Sequence, residues 1–88
     1  MTLGERIRFA RKLTGYDVKE LCEMLEISPN TFYGYEQDQR EPPFFVMCCL
    51  ADVFKVPLDY FAGKRELTER DKERLFKERW ERMWQDTN

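Results

Sequence analysis

Asn30, Thr31, Tyr33, Gly34 and Gln37 fall on one side of a short segment whose other side is marked by Phe32 and Tyr35. The carboxamides, hydroxyl and phenol on the first side donate and accept hydrogen bonds without changing charge at neutral pH. That is the chemistry of recognition rather than of proton transfer or covalent attack. The 88 residues include no histidine and no Gly-rich phosphate loop, which removes the commoner enzyme constellations, so no catalytic machinery is expected. Cys22, Cys48 and Cys49 are odd in number, and the adjacent pair does not readily close on itself. With no C-x-x-C spacing they do not form a zinc site. Neither a metal nor a cofactor is expected, and reduced thiols point to the cytoplasm. No apolar run is long enough for a membrane span or a signal peptide.

The elements that position those side chains lie between Asp17 and Pro43. Asp17 is a good N-cap with Glu20 three residues on, a capping box that opens one helix. Leu21, Met24 and Leu25 give that helix an apolar stripe. Glu26-Ile27-Ser28 forms a turn with Ile27 as its apolar plug. Ser28 then caps a second helix, and Pro29 takes its first position, where a missing N–H costs nothing. Asp38 tolerates left-handed backbone and ends it. Two helices joined this tightly resemble a helix-turn-helix, whose second helix enters the DNA major groove.

Charge is distributed unevenly. The net charge is −2, whereas DNA affinity rests largely on lysine and arginine. Residues 1–19 hold Arg6, Arg8, Arg11, Lys12 and Lys19 against Glu5 and Asp17, a net of +3. Residues 20–43 hold Arg40 against six acidic side chains, a net of −5. Positive charge thus lies beside the recognition helix, and the basic residues of the first helix are either a solvated face or phosphate contacts.

Around this centre, Thr2 and Glu5 predict a capped helix from Leu3 to about Leu13, with Leu3, Ile7 and Ala10 on the core face and Phe9 and Leu13 on a second apolar face. Gly15 ends it and Tyr16 turns back inward. Arg40-Glu41-Pro42-Pro43 is a stiff extended link. Phe44 to Phe54 reads as a helix with Phe44, Met47, Leu50, Ala51 and Phe54 inward and Phe45, Cys49 and Val53 on another face. Pro57 starts a short helix carrying Leu58 and Phe61, which Gly63 ends. Composition shifts at Lys64. Thr68 and Asp71 open a last helix from about Glu69 to Trp84, with pairs Glu66/Arg70, Glu73/Lys77 and Glu78/Arg82 at helical spacing and an aromatic stripe of Phe76, Trp80, Met83 and Trp84. Either this helix folds back over Phe9/Leu13 or Phe45/Cys49/Val53, or its stripe forms a two-fold contact that sets two recognition helices about 34–36 Å apart.

With these pieces in order, the sequence resembles the Cro/lambda-repressor type of helix-turn-helix, the XRE family of bacterial and phage regulators. The likeness covers about residues 3–63, through LGERIRFARKLTGY, DVKEL, ISPNTFYGYE, QREP and LADVFKVPLDYFAG. It implies an all-α fold: a five-helix lambda-repressor-like DNA-binding domain with an additional C-terminal amphipathic helix. It also implies base-facing positions at Pro29, Asn30 and Thr31, then Tyr33 and Gly34. Asn30 suits adenine, which a carboxamide pairs through two hydrogen bonds. Gln37, Gln39 and Arg40 match the stretch along the sugar-phosphate backbone, with Lys19 beside the cap of the first motif helix. Relatives often have glutamine where Val18 stands, and glycine in place of Glu26 and Asp38. Cys22 matches a position that wants a small residue, and Arg11 and Glu36 match a pair joining the first and third helices.

The sequence therefore predicts a sequence-specific DNA-binding transcriptional regulator. Residues 1–63 form the DNA-binding unit with its helix-turn-helix at 17–38, and residues 64–88 a packing or dimerisation helix. Its partner is double-stranded DNA, bound as a homodimer, with no membrane and no small-molecule ligand domain. Two alternatives stand beside it: a protein–protein interaction module derived from such a domain, and the antitoxin of a toxin–antitoxin pair.

Overall fold

The computed structural model describes residues 1–86. They form six helices: α1 Leu3–Thr14, α2 Val18–Leu25, α3 Pro29–Glu36, α4 Phe44–Phe54, α5 Leu58–Phe61 and α6 Glu69–Asp86. No strand occurs among the described residues, and the fold is the all-α one expected.

Local chemistry sets the helix starts. Thr2 and Asp17 each close a capping box, with Glu5 and Glu20 respectively. Thr68 and Asp71 do the same at the start of α6, through bonds of 2.9 and 3.1 Å. The stops use left-handed backbone. Gly15 ends α1 at φ 80°, a conformation open to glycine at no steric cost. Glu26, Asp38 and Lys55 adopt φ of 57–60° as non-glycine residues. The strain at Glu26 costs roughly 1–2 kcal/mol, which the surrounding packing must offset.

Ile7, Leu21, Phe32, Leu50, Phe54 and Leu75 are sealed from solvent and come from five of the helices. One core therefore ties the helix pair to everything around it. α1 and α3 approach so closely that a Cβ on Gly4 would lie 2.6 Å from the Tyr35 carbonyl oxygen and nearer still to that of Glu36. At the same junction the Asp38 carboxylate accepts from the Thr2 hydroxyl at 2.5 Å and from the Gly4 N–H at 2.8 Å. The residue that ends α3 thereby satisfies a free donor in the first turn of α1.

Several expectations are corrected. Phe44 is 72% exposed rather than inward. Pro42 is buried and anchors the link, so α4 enters with Val46, Leu50 and Phe54 facing the core. Arg6, expected on the basic surface, is buried. Its guanidinium meets Glu66 at 2.6 Å and lies 5.1 Å from the centre of the Tyr60 ring, while the Tyr60 hydroxyl donates to the Arg6 carbonyl at 3.1 Å. The acidic members expected to pair along the tail find tertiary partners in two cases: Glu66 with Arg6, and Glu78 with Lys55 at 3.0 Å. Arg82 binds Glu20 at 3.0 Å. An i,i+4 pair on an exposed helix contributes only about 0.2–0.5 kcal/mol, so a partner brought in from another element easily displaces it.

α6 does fold back, with Leu75 fully buried in the common core. It runs alongside α1 in the same direction. Glu66 before it meets Arg6, and Arg79 packs on Gly15, where a Cβ would lie 2.7 Å from the arginine Cγ. It does not fill the open cleft in which Phe45, Cys49 and Val53 face Met24 and Leu25.

Candidate nucleic-acid interface

The capping box of Asp17 fixes the start of α2, with the Glu20 N–H 2.7 Å from Asp17 Oδ1. Lys19, next along, is exposed, whereas Val18 is half-buried against the core. Cys22 is buried among the apolar side chains, and burial pushes its thiol pKa up, which makes it a packing residue rather than a reactive one. Ile27 packs partly into the core beneath the turn, its N–H bonded to the Cys22 carbonyl at 3.1 Å.

α3 begins with Ser28 Oγ accepting from the Thr31 N–H at 3.1 Å and Pro29 at the first position. Phe32 and Tyr35 are buried beneath it, as their spacing predicts. Pro29, Asn30, Tyr33 and Gln37 are exposed. Asn30, Tyr33 and Gln37, three and four apart, make one solvent-facing stripe. Thr31 stands at its edge, half-buried, with its hydroxyl 3.0 Å from that of Ser28.

Gly34 departs from expectation. It is buried, not outward, because the Arg40 side chain lies across it. A Cβ there would sit 3.0 Å from Arg40 Cδ and 3.2 Å from Cγ. Its carbonyl accepts from both the Gln39 and the Arg40 N–H, at 2.9 and 3.2 Å. Gly34 therefore shapes the start of the 39–41 link and seats Arg40. Gln39 and Arg40 are exposed at that link.

The structure also sorts the basic residues of α1. Arg6 belongs to Glu66. Arg11 is bound by both Glu36 oxygens, at 2.7 and 3.3 Å, in the pair that the resemblance implied. Arg8 is exposed and lines a cleft of about 160 Å³ with Arg11, Tyr33, Glu36 and Gln37, between α1 and α3. It lies beside the exposed stripe of α3 although it is more than twenty positions away in the chain. Sequence reasoning grouped it with its neighbours, since nothing in a run of arginines says which one is already paired. Lys12 is exposed further along α1.

The acidity of residues 20–43 is partly consumed internally. Glu20 accepts from Arg82 and Glu36 from Arg11, whereas Asp38 accepts only from the uncharged Thr2 hydroxyl and Gly4 N–H and keeps its charge. A carboxylate held by a guanidinium contributes little net repulsion to an approaching phosphate, so the face is less acidic than its composition suggests.

A helix pair with this turn, these caps and this outward stripe has a counterpart in known proteins. Residues 7–61 match the helix-turn-helix family model. The chain belongs to the XRE-type helix-turn-helix family. Among curated members of this helix-turn-helix group it is similar to the HTH-type transcriptional regulator ImmR of Bacillus subtilis, 37% identical over 71 residues that cover 81% of this chain and 56% of ImmR. The uncharacterized HTH-type transcriptional regulator YobD of the same organism is 30% identical over 59 residues, covering 67% and 53%. RamB of Mycobacterium tuberculosis, an HTH-type transcriptional regulator, is 34% identical over 62 residues, covering 70% of this helix-turn-helix chain and 13% of RamB. The chain spans about half the length of the first two relatives.

Proposed function

We propose that this chain is a sequence-specific DNA-binding transcriptional regulator that reads the major groove with α3. The observation that carries the reading is the exposed stripe of Asn30, Tyr33 and Gln37 on the helix behind the turn, flanked by Arg8. Asn30 reads a base edge, adenine by preference, and Tyr33 offers its hydroxyl to a phosphate or its ring to a thymine methyl. Pro29 and Thr31 border the base-facing end. Lys19, Gln37, Gln39, Arg40 and Arg8 hold the sugar-phosphate backbone and fix the register. Residues 1–63 form the DNA-reading unit, and α6, within residues 64–88, braces it and pairs it with a second copy. The target of such a protein places it in the cytoplasm, and no helix among the described residues is long and apolar enough to cross a membrane. Family membership and the relatives' names support regulation over the interaction-module and antitoxin alternatives.

The test is selection of genomic fragments on immobilised protein at about 100 mM salt, where phosphate contacts still hold, with an Asn30→Ala/Tyr33→Ala variant in parallel. Enrichment of a two-fold symmetric sequence, lost in the variant, supports the reading. No enrichment by folded wild type, here or at lower salt, overturns it.

A further inference from the structure

The last helix reaches back to the start of the helix-turn-helix. Arg79 lies across Gly15, at the corner between α1 and α2, with its Cγ 2.7 Å from where a Cβ on that glycine would stand. Arg82, three residues further along α6, lies over the next residue of the corner, its guanidinium carbon 3.5 Å from the centre of the Tyr16 ring. Tyr16 is itself backed by Phe54, with the two ring centres 6.1 Å apart. From that seat one guanidinium nitrogen donates to both Glu20 oxygens at 3.0 Å.

Glu20 is the residue whose carboxylate closes the capping box of α2 by accepting from the Asp17 N–H. The cap therefore sets two carboxylates, Asp17 and Glu20, within one turn of Lys19. They suit the positive end of a helix, but they repel a phosphate that approaches it. Helix N-termini are ordinary phosphate contacts on DNA, and Lys19 stands exposed at this one.

We propose that Arg82 is a positioning residue for DNA binding: it cancels the charge of Glu20 and so keeps the start of α2 open to the sugar-phosphate backbone. It acts through Glu20 and does not itself touch DNA. The pair adds little to stability, because its side chains are 29% and 48% exposed and ion pairs in water contribute little. The guanidinium is nonetheless fixed on two sides, by the ring beneath it and the carboxylate at its edge, so the cancelling charge stays in place. It arrives from sixty-two positions away and from outside the residues 7–61 that match the family model. The helix-turn-helix thus borrows a charge from α6 that its own residues do not supply. The inference rests on the proposed DNA reading.

Titrations of the DNA fragment that wild type selects test it, with Arg82→Gln, Glu20→Gln and the double variant compared at several salt concentrations. Arg82→Gln should weaken binding about ten-fold at about 100 mM salt and lower the slope of log affinity against log salt by about one, the effect of one net charge. The gap should narrow as added salt screens it. Glu20→Gln keeps the capping box, which glutamine also closes, and should bind at least as tightly as wild type. The double variant should return to within about two-fold of wild type, since neither charge is left unbalanced. Arg82→Lys, which keeps the charge, should retain most of the affinity. Thermal melts followed by circular dichroism should place all the variants close to wild type. Wild-type affinity in Arg82→Gln, or a loss that does not vary with salt, overturns the inference. So does a double variant as weak as Arg82→Gln, which would put Arg82 on the DNA itself. A melting temperature for Arg82→Gln far below wild type also overturns it, because the pair would then be structural. Failure of the DNA reading is told apart at the first step, where wild type selects no fragment.

Discussion

The carbonyl oxygen of Tyr35 occupies the place where a side chain on Gly4 would begin, 2.6 Å from the position of its Cβ. Contact this close between two pieces of backbone has no flexible group to yield. Gly4→Ala must therefore push α1 away from the end of α3 and disturb the bond from the Gly4 N–H to Asp38. Alanine usually favours a helix, but here overpacking outweighs propensity. A loss of about 1–3 kcal/mol is expected, read as a lower urea midpoint. A stability equal to or above wild type contradicts this account.

Glu36 and Arg11 form a two-pronged pair whose side chains are 5% and 15% exposed. Removing one partner leaves the other charge largely out of water. Glu36→Ala should cost about 3–5 kcal/mol, whereas replacing both with apolar side chains, as in Arg11→Met/Glu36→Leu, should recover much of that loss. Chemical denaturation of the two single variants and the double variant checks the non-additivity.

Arg8 and Asn30 should fail in different ways when removed. Arg8→Ala loses a phosphate contact and lowers affinity for every sequence, with the slope of log affinity against log salt reduced by about one. Asn30→Ala keeps the salt slope and loses about 1–3 kcal/mol of discrimination at one base pair. Titrations of an operator and its single-base variants at several salt concentrations separate the two roles. An unchanged slope for Arg8→Ala removes it from the interface.

Stability should fall at both ends of the pH scale. Hydrogen bonds from Thr2, Arg6 and Thr68 hold the carboxyls of Glu5, Glu66 and Asp71 below their ordinary values of 4.5, 4.5 and 3.8. A depressed folded pKa contributes stability that is complete above the unfolded value and disappears as pH falls through the folded one. The melting temperature should therefore hold near neutrality and drop once pH passes below about 4.5. Glu66→Gln should flatten part of that fall. At the alkaline end, burial pushes Tyr60 up to about 12 from 10.0. A raised pKa contributes stability that is complete below the unfolded value and is lost as pH rises through the folded one, so a second decline belongs between those two values. Tyr60→Phe should remove its share and leave that of Cys22, whose buried thiol is also pushed up.

Some of this molecule is written in single residues and short spacings. Thr2/Glu5, Asp17/Glu20 and Thr68/Asp71 bond across three positions, and Ser28-Pro29 starts α3 by local geometry alone, so the helix starts follow from the sequence without knowledge of the fold. The pair of Phe32 and Tyr35 beneath Asn30, Tyr33 and Gln37 is legible for the same reason, since helical periodicity assigns both faces at once. Only the tertiary structure decided which charged side chains were free. Arg6, Arg8 and Arg11 are chemically alike in the chain. Their fates diverge because Glu66 arrives at one flank of α1 and claims Arg6, while α3 arrives at another and brings Glu36 onto Arg11 and only Tyr33 and Gln37 beside Arg8. Gly34 turned inward because Arg40, six residues later, folds over it, and Phe44 turned outward because the buried Pro42 sets the entry angle of α4. Such outcomes depend on where one rigid element meets another, and close packing makes that meeting all or none. A local pattern carries no information about it.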